Sequence, residues 1–187
     1  MRITGGQDKS RLLATPKGLG IRPTSDRVRE AIFNILGQDI SGLTVLDLFS
    51  GTGSLGLEAL SRGALSAYFI DNSQQAIKLI EKNLSLCGYR DRAVIVKKDL
   101  GRGIPRIKIL LDETFDLVFM DPPYRKDLIP LMLEDLSDKG ILAPKSRVIT
   151  ESSKGERLPD SPGNLEIIDI RWYGDTKVSL YAHKERQ

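Results

Sequence analysis

The chain has 187 residues, a formal net charge of +3, one cysteine (Cys87) and one histidine (His183). A chain of this length buries about 70% of its unfolded surface, so one domain over residues 1–187 is expected without a covalent staple. One cysteine excludes an internal disulfide and, with no Cys/His cluster, leaves no zinc site. The expectation is a metal-free protein of a reducing cytoplasm, away from the membrane, since no apolar run reaches the length of a span.

Charge is concentrated at one end. Residues 1–29 carry Arg2, Lys9, Arg11, Lys17, Arg22, Arg27 and Arg29 against Asp8 and Asp26, a balance of +5 that leaves −2 for the remainder. Such an excess suits an arm that grips a polyanion or, equally on charge alone, a solvated basic tail. Residues 1–22 mix Gly, Lys and Arg with scattered apolar positions and predict loops with a short strand or two. Thr24 or Ser25 then caps a helix whose apolar positions Val28, Ala31, Ile32, Ile35 and Leu36 recur at helical spacing before Gly37. Residues 1–37 thus form a basic arm and first helix, expected to pack on the core.

From there strand and helix alternate. Leu43–Phe49 predicts a strand, Ser54–Arg62 a helix, Ser66–Ile70 a strand, and the stripe Ala76, Ile77, Ile80, Leu84, Cys87 a helix capped by Asn72 or Ser73 and stopped at Gly88. Ala93–Lys97 is a third strand. Residues 100–112 are ambiguous, with a short helix possible after Pro105. Phe115–Met120 is a fourth strand, Leu128–Leu136 a helix, Ser146–Thr150 a fifth strand and 152–164 a loop. Leu165–Trp172 and Thr176–Ala182 flank a hairpin turn at Tyr173-Gly174-Asp175. His183 falls where a frayed tail is expected, a poor position for a base. The alternation predicts an α/β doubly wound, mostly parallel sheet covered by helices, closed by an antiparallel hairpin, with the ligand crevice at the carboxyl ends of the strands.

Four acidic residues, Asp47, Asp71, Asp99 and Asp121, then share one rim. Between Asp47 and the second helix lie Phe49, Ser50, Gly51, Thr52, Gly53 and Gly56, a full G-x-G-x-x-G in the position of a nucleotide loop, and Asp71 with Asn72 follows at ribose-binding distance. A dinucleotide dehydrogenase is the first reading. However, Asp47 sets a negative charge where a pyrophosphate would lie, and no plausible histidine acid is available. A cationic nucleoside, S-adenosylmethionine, turns that repulsion into attraction. Asp99 and Leu100 would take its adenine. At the fourth strand's end, Asp121-Pro122-Pro123-Tyr124 offers a carboxylate, carbonyls freed from any ladder and an aromatic plane, a pocket for a planar group carrying an NH2. Taken singly, each Asp could be a turn cap and the glycines a tight turn.

The order Asp47, Gly51-Thr52-Gly53, Asp71, Asp99 and Asp121-Pro122-Pro123-Tyr124 is similar to that of class I S-adenosylmethionine-dependent methyltransferases that modify exocyclic amines. The stretch from Arg22 to Leu36 resembles the first helix of the bacterial 16S ribosomal RNA guanine-N2 methyltransferases. The resemblance implies a seven-stranded Rossmann-like sheet with a reversed hairpin strand, a monomer, and a guanine N2 target in 16S RNA within a partly assembled small subunit. Independently of the resemblance, the box assigns catalysis to Asp121, Pro122, Pro123 and Tyr124, and the charge of residues 1–29 assigns phosphate contacts to Lys17, Arg22, Arg27 and Arg29, with service to the first helix or the cofactor carboxylate as the alternative for Arg27 and Arg29. Gly5-Gly6-Gln7-Asp8 departs from the more basic run expected there. Two alternatives stay open: an adenine-N6 methyltransferase on DNA or RNA, which shares the D-P-P-Y box, and a non-catalytic RNA-binding ribosome-assembly factor.

Overall fold

The computed structural model describes residues 1–16, 25–37, 39–123 and 127–184. The chain divides into two compact units, Met1–Lys98 and Asp99–Gln187.

In the first unit three parallel strands, β1 (Thr44–Leu48), β2 (Ser66–Asp71) and β3 (Ala93–Lys97), lie in the order β3-β2-β1. β1 and β2 have both faces covered, which is why Val45, Leu46, Leu48 and Ala67 to Ile70 form nearly continuous apolar runs. Among the described residues three α-helices accompany the strands: α1 (Asp26–Leu36), α2 (Ser54–Ser61) and α3 (Gln74–Cys87). Ser25 is the cap of α1, its Oγ accepting from Val28 N at 3.2 Å, and Val28, Ile32, Phe33 and Leu36 form the buried stripe. Ser73 caps α3 in the same way and left-handed Gly88 ends it, its N–H bonding back to Leu84 and Ser85 carbonyls.

The first sixteen residues are built into this unit. An antiparallel bridge joins Arg2 to Leu12, Ile3 N donates to Arg11 O at 3.0 Å, and Ile3 and Leu13 are buried. The Ser61 hydroxyl donates to Gly5 O at 2.7 Å and accepts from Asp8 N at 3.0 Å, so the turn around Gly6 is fixed to the end of α2. At the far side Tyr89 hydrogen-bonds Asp8.

The second unit holds a short helix α4 (Lys108–Leu111), β4 (Phe115–Met120), α5 (Leu128–Asp138), β5 (Leu142–Ser153), β6 (Leu165–Tyr173) and β7 (Thr176–His183). Its strands run β4-β5-β7-β6, parallel between β4 and β5 and antiparallel in the two remaining pairs. The seven described strands and the reversed hairpin are those of a mixed methyltransferase sheet. Two expectations need correction. β5 extends well past Ser146–Thr150, because Glu151 pairs with Val178, and Ser152 and Ser153, where a loop was expected, pair with Lys177 and Thr176. His183 is no frayed tail: it ends β7, paired with Leu165. No described helix is long and apolar enough to cross a membrane.

Candidate active site

β1 ends at Leu48, and the next residue, Phe49, takes φ 59°, a left-handed conformation rarely adopted by a bulky residue and held here by the surrounding turn. Gly51 (φ 54°) and Gly53 (φ 77°) occupy the same region, which glycine reaches without a Cβ penalty. The turn is stitched to its neighbours: Ser50 N donates to Ile70 O at 3.1 Å, the Ser50 hydroxyl to Asp47 O at 2.5 Å, and Gly53 N to Ser50 O at 2.7 Å. Gly56 is required by packing, since a Cβ there would overlap the Phe69 ring.

The two carboxylates of this unit act at different depths. Asp47 is buried, and its Oδ2 accepts from Gly56 N at 3.0 Å, placing its charge at the N-terminal turn of α2 behind the glycine loop. Asp71 is half-buried, with Oδ2 accepting from Gly51 N at 2.9 Å and Oδ1 from Ser73 N at 2.8 Å. Each carboxylate oxygen can accept more than one hydrogen bond, so Asp71 is both aimed by the loop and able to receive a pair of hydroxyls. Asn72 is exposed beside it, while Thr52 is buried. A left-handed glycine turn followed by an oriented carboxylate, with a second carboxylate behind it, is a donor set that fits S-adenosylmethionine.

Arg29 is misplaced in the sequence reading. Its side chain is fully buried: Nε donates to Glu58 Oε2 at 3.1 Å, and Nη2 pairs with Asp26 at 2.9 Å and also bonds the Arg2 carbonyl. Glu58, also fully buried, holds Arg62 at 2.8 Å and accepts from Thr4 N and Thr4 Oγ1 at 2.8 and 2.7 Å. A phosphate cannot reach Arg29; the residue ties α1, α2 and the N-terminal strip together. Arg27 is exposed on α1 and remains available, whereas Lys17 and Arg22 lie outside the described residues.

Asn83 escaped the sequence reading altogether. It is fully buried, its Nδ2 donating to Thr52 O at 3.1 Å and Ala14 O at 3.2 Å while its Oδ1 accepts from Ala14 N at 2.7 Å. One amide therefore braces the glycine loop and the N-terminal strip. The available signal was a polar residue between Ile80 and Leu84 on the apolar face of α3.

In the second unit, Asp99 is exposed and its Oδ1 accepts from Gly101 N at 2.9 Å, whereas Leu100 is buried. β4 is buried along nearly its whole length and delivers a half-buried Asp121 at its end, followed by buried Pro122 and exposed Pro123. The prolines end the ladder as their missing N–H groups require. Tyr124 lies outside the described residues.

Comparison with known proteins supplies the family. Residues 1–182 match the profile described as "Conserved hypothetical protein 95". The chain belongs to that family. It is 35% identical to Ribosomal RNA small subunit methyltransferase D of Escherichia coli K12 over 188 residues, covering 98% of this chain and 90% of that one. It is 33% identical to YlbH of Bacillus subtilis, named as a candidate rRNA methyltransferase, over 98% of this chain and all of the relative. Among solved structures, the Escherichia coli chain yhhF, named as a candidate methyltransferase, superposes with a TM-score of 0.84 at 33% identity, with 98% of each chain covered.

Proposed function

We propose that the chain is an S-adenosylmethionine-dependent methyltransferase that modifies the exocyclic N2 amine of a guanine in small-subunit ribosomal RNA. The observation that carries this reading is the end of β4, where a strand otherwise buried presents a half-buried Asp121 followed directly by two prolines. The Escherichia coli relative is named for small-subunit ribosomal RNA and the Bacillus subtilis one for ribosomal RNA, which supports the reading. We further propose that the two units form one working domain of residues 1–187, active as a cytoplasmic monomer on a partly assembled subunit.

When bound, S-adenosylmethionine supplies a methyl group activated by its sulfonium. Asp71 takes the ribose hydroxyls, with Asn72 beside it, and Phe49, Ser50, Gly51, Thr52 and Gly53 give the close backbone approach. Asp47 acts from behind through its charge and its hold on Gly56. Asp99 and Leu100 line the adenine side. The guanine N2 lone pair is delocalised into the ring and weakly nucleophilic. Asp121 and the Pro122 carbonyl accept from the NH2 group and favour the more tetrahedral nitrogen on which positive charge grows. Acceptors so placed bind the transition state more strongly than the ground state. Pro123 fixes the turn, and Tyr124 stacks on a base turned out of its helix. The basic arm, through Lys17, Arg22 and Arg27, grips phosphates.

Asp121→Ala tests the assignment. Turnover is expected to fall by about 10² or more with cofactor affinity near normal. An Asp121→Ala enzyme that methylates at the wild-type rate overturns the acceptor mechanism.

A further inference from the structure

α3 directs Ala76, Ile77, Ile80, Leu84 and Cys87 into the core. Its other stripe, which includes Gln75, Lys78, Leu79 and Lys82, faces Thr15 and Pro16 across a cavity of about 520 Å³. The chemistry of this groove is one-sided. Pro16 and Leu79 give it an apolar floor, Thr15 and the glutamine amides offer neutral hydrogen-bonding groups, and the charges in its lining are the two lysines. Neither lysine has an ion-pair partner among the described residues. They stand four residues apart on α3, about 6 Å along the axis, a spacing of the order of that between neighbouring phosphates on one strand. At the α3 N-terminus, Lys97 Nζ donates to Gln74 Oε1 at 2.8 Å and adds a third cation beside the groove.

The far wall is held in place. Asn83 grips both the N–H and the carbonyl of Ala14, directly before Thr15, and the same amide grips Thr52 O in the glycine loop. α3 itself starts just after Asp71, through Ser73. A strand lying in the groove would therefore be held at a fixed position relative to the cofactor loop. Two cations without ion pairs over an apolar floor suit a sugar–phosphate backbone, and among the described residues no carboxylate in the lining opposes it.

We propose that the groove between Thr15–Pro16 and the Lys78/Lys82 face of α3 docks the phosphate backbone of the RNA strand that carries the target base. The proposal rests on the reading of RNA as substrate, and it adds a second grip to that of the N-terminal arm.

The test compares the wild-type chain, the Lys78→Gln/Lys82→Gln double variant and the Lys78→Arg/Lys82→Arg double variant in binding protein-free small-subunit ribosomal RNA across a salt series. Loss of two phosphate contacts is expected to flatten the slope of log affinity against log salt by about 1.4 to 1.8, while the arginine pair keeps it. Lys108→Gln, on exposed α4, is the control and keeps the wild-type slope. Unchanged slope in the glutamine variant overturns the groove. So does a loss seen on assembled subunits but absent on protein-free RNA, which would give the groove to an acidic protein surface. A fall in S-adenosylmethionine affinity in the glutamine variant overturns it as well, by assigning the groove to the cofactor. If the wild-type chain itself neither methylates RNA nor binds it in a salt-dependent way, the substrate reading fails, and the groove proposal fails with it.

Discussion

Asp71, Arg29 and Asn83 show how differently single residues reveal themselves. Asp71 stood out by position, at a strand end one βα unit after a glycine loop, and its carboxylate accepts from Gly51 N and Ser73 N. Replacing it with Ala removes hydrogen bonds worth roughly 1.5 to 3 kcal/mol, so calorimetry should find S-adenosylmethionine bound about ten- to a hundredfold more weakly. Arg29 was misread because charge composition cannot tell an exposed cation from one sealed beneath a helix. Its partner Glu58 lies 29 positions further on and carries no pattern of its own. Arg29→Ala leaves a buried carboxylate with one cation fewer. Its cost should be about 3 to 5 kcal/mol in denaturant unfolding, while the salt dependence of RNA binding stays as in the wild type. Arg27→Ala should do the reverse, flattening the salt slope by about 0.7 to 0.9 with little loss of stability. Asn83 was overlooked because the residues it joins, Ala14 and Thr52, have no local pattern that requires an amide, and its place on the apolar face of α3 was the one signal.

At the scale of elements, those built from local rules were placed closely. α1 has a Ser cap, an apolar stripe and a terminal glycine, and runs as these predict; α3 likewise. β3 and β4 coincide with their apolar runs. Ser25→Ala should remove the α1 cap at a cost of about 1 kcal/mol, read as a shift in unfolding midpoint with unchanged slope. β5 was underestimated at both ends for two separate reasons. Pro144, and Lys145 at φ 63°, argue locally against a strand, yet the ladder with β4 absorbs them in a register shift between the Phe115 and Leu117 pairs. At the other end, polar Glu151 and Ser152 look like loop residues, but β7 comes back antiparallel and pairs with them. Strand length there is set by a partner some 25 positions away in sequence, information that no window around β5 contains.

For the whole molecule, the junction between the N-terminal strip and α3 gives a prediction that involves no ligand. Burial, with help from the charge of Asp8, pushes the Cys87 thiol up to about 11, and burial with the Asp8 hydrogen bond pushes the Tyr89 phenol up to about 12. Both shifts favour the neutral form in the folded state. The stability they contribute is present below the ordinary values of 9.0 and 10.0 and is lost as pH rises through the raised ones. Melting temperature should therefore hold to about pH 9 and fall steadily above it, and Tyr89→Phe should shallow that fall.

The claim on which the account depends is chemical: methyl transfer to a guanine N2 in small-subunit ribosomal RNA. Its most direct measurement is incubation of the chain with methyl-labelled S-adenosylmethionine and small-subunit RNA, protein-free or within partly assembled subunits, followed by digestion to nucleosides and mass spectrometry. Label is expected in N2-methylguanosine, abolished or reduced about a hundredfold by Asp121→Ala. Label in N6-methyladenosine would hand the activity to the adenine alternative, and no labelled nucleoside on either substrate would contradict the enzymatic reading itself.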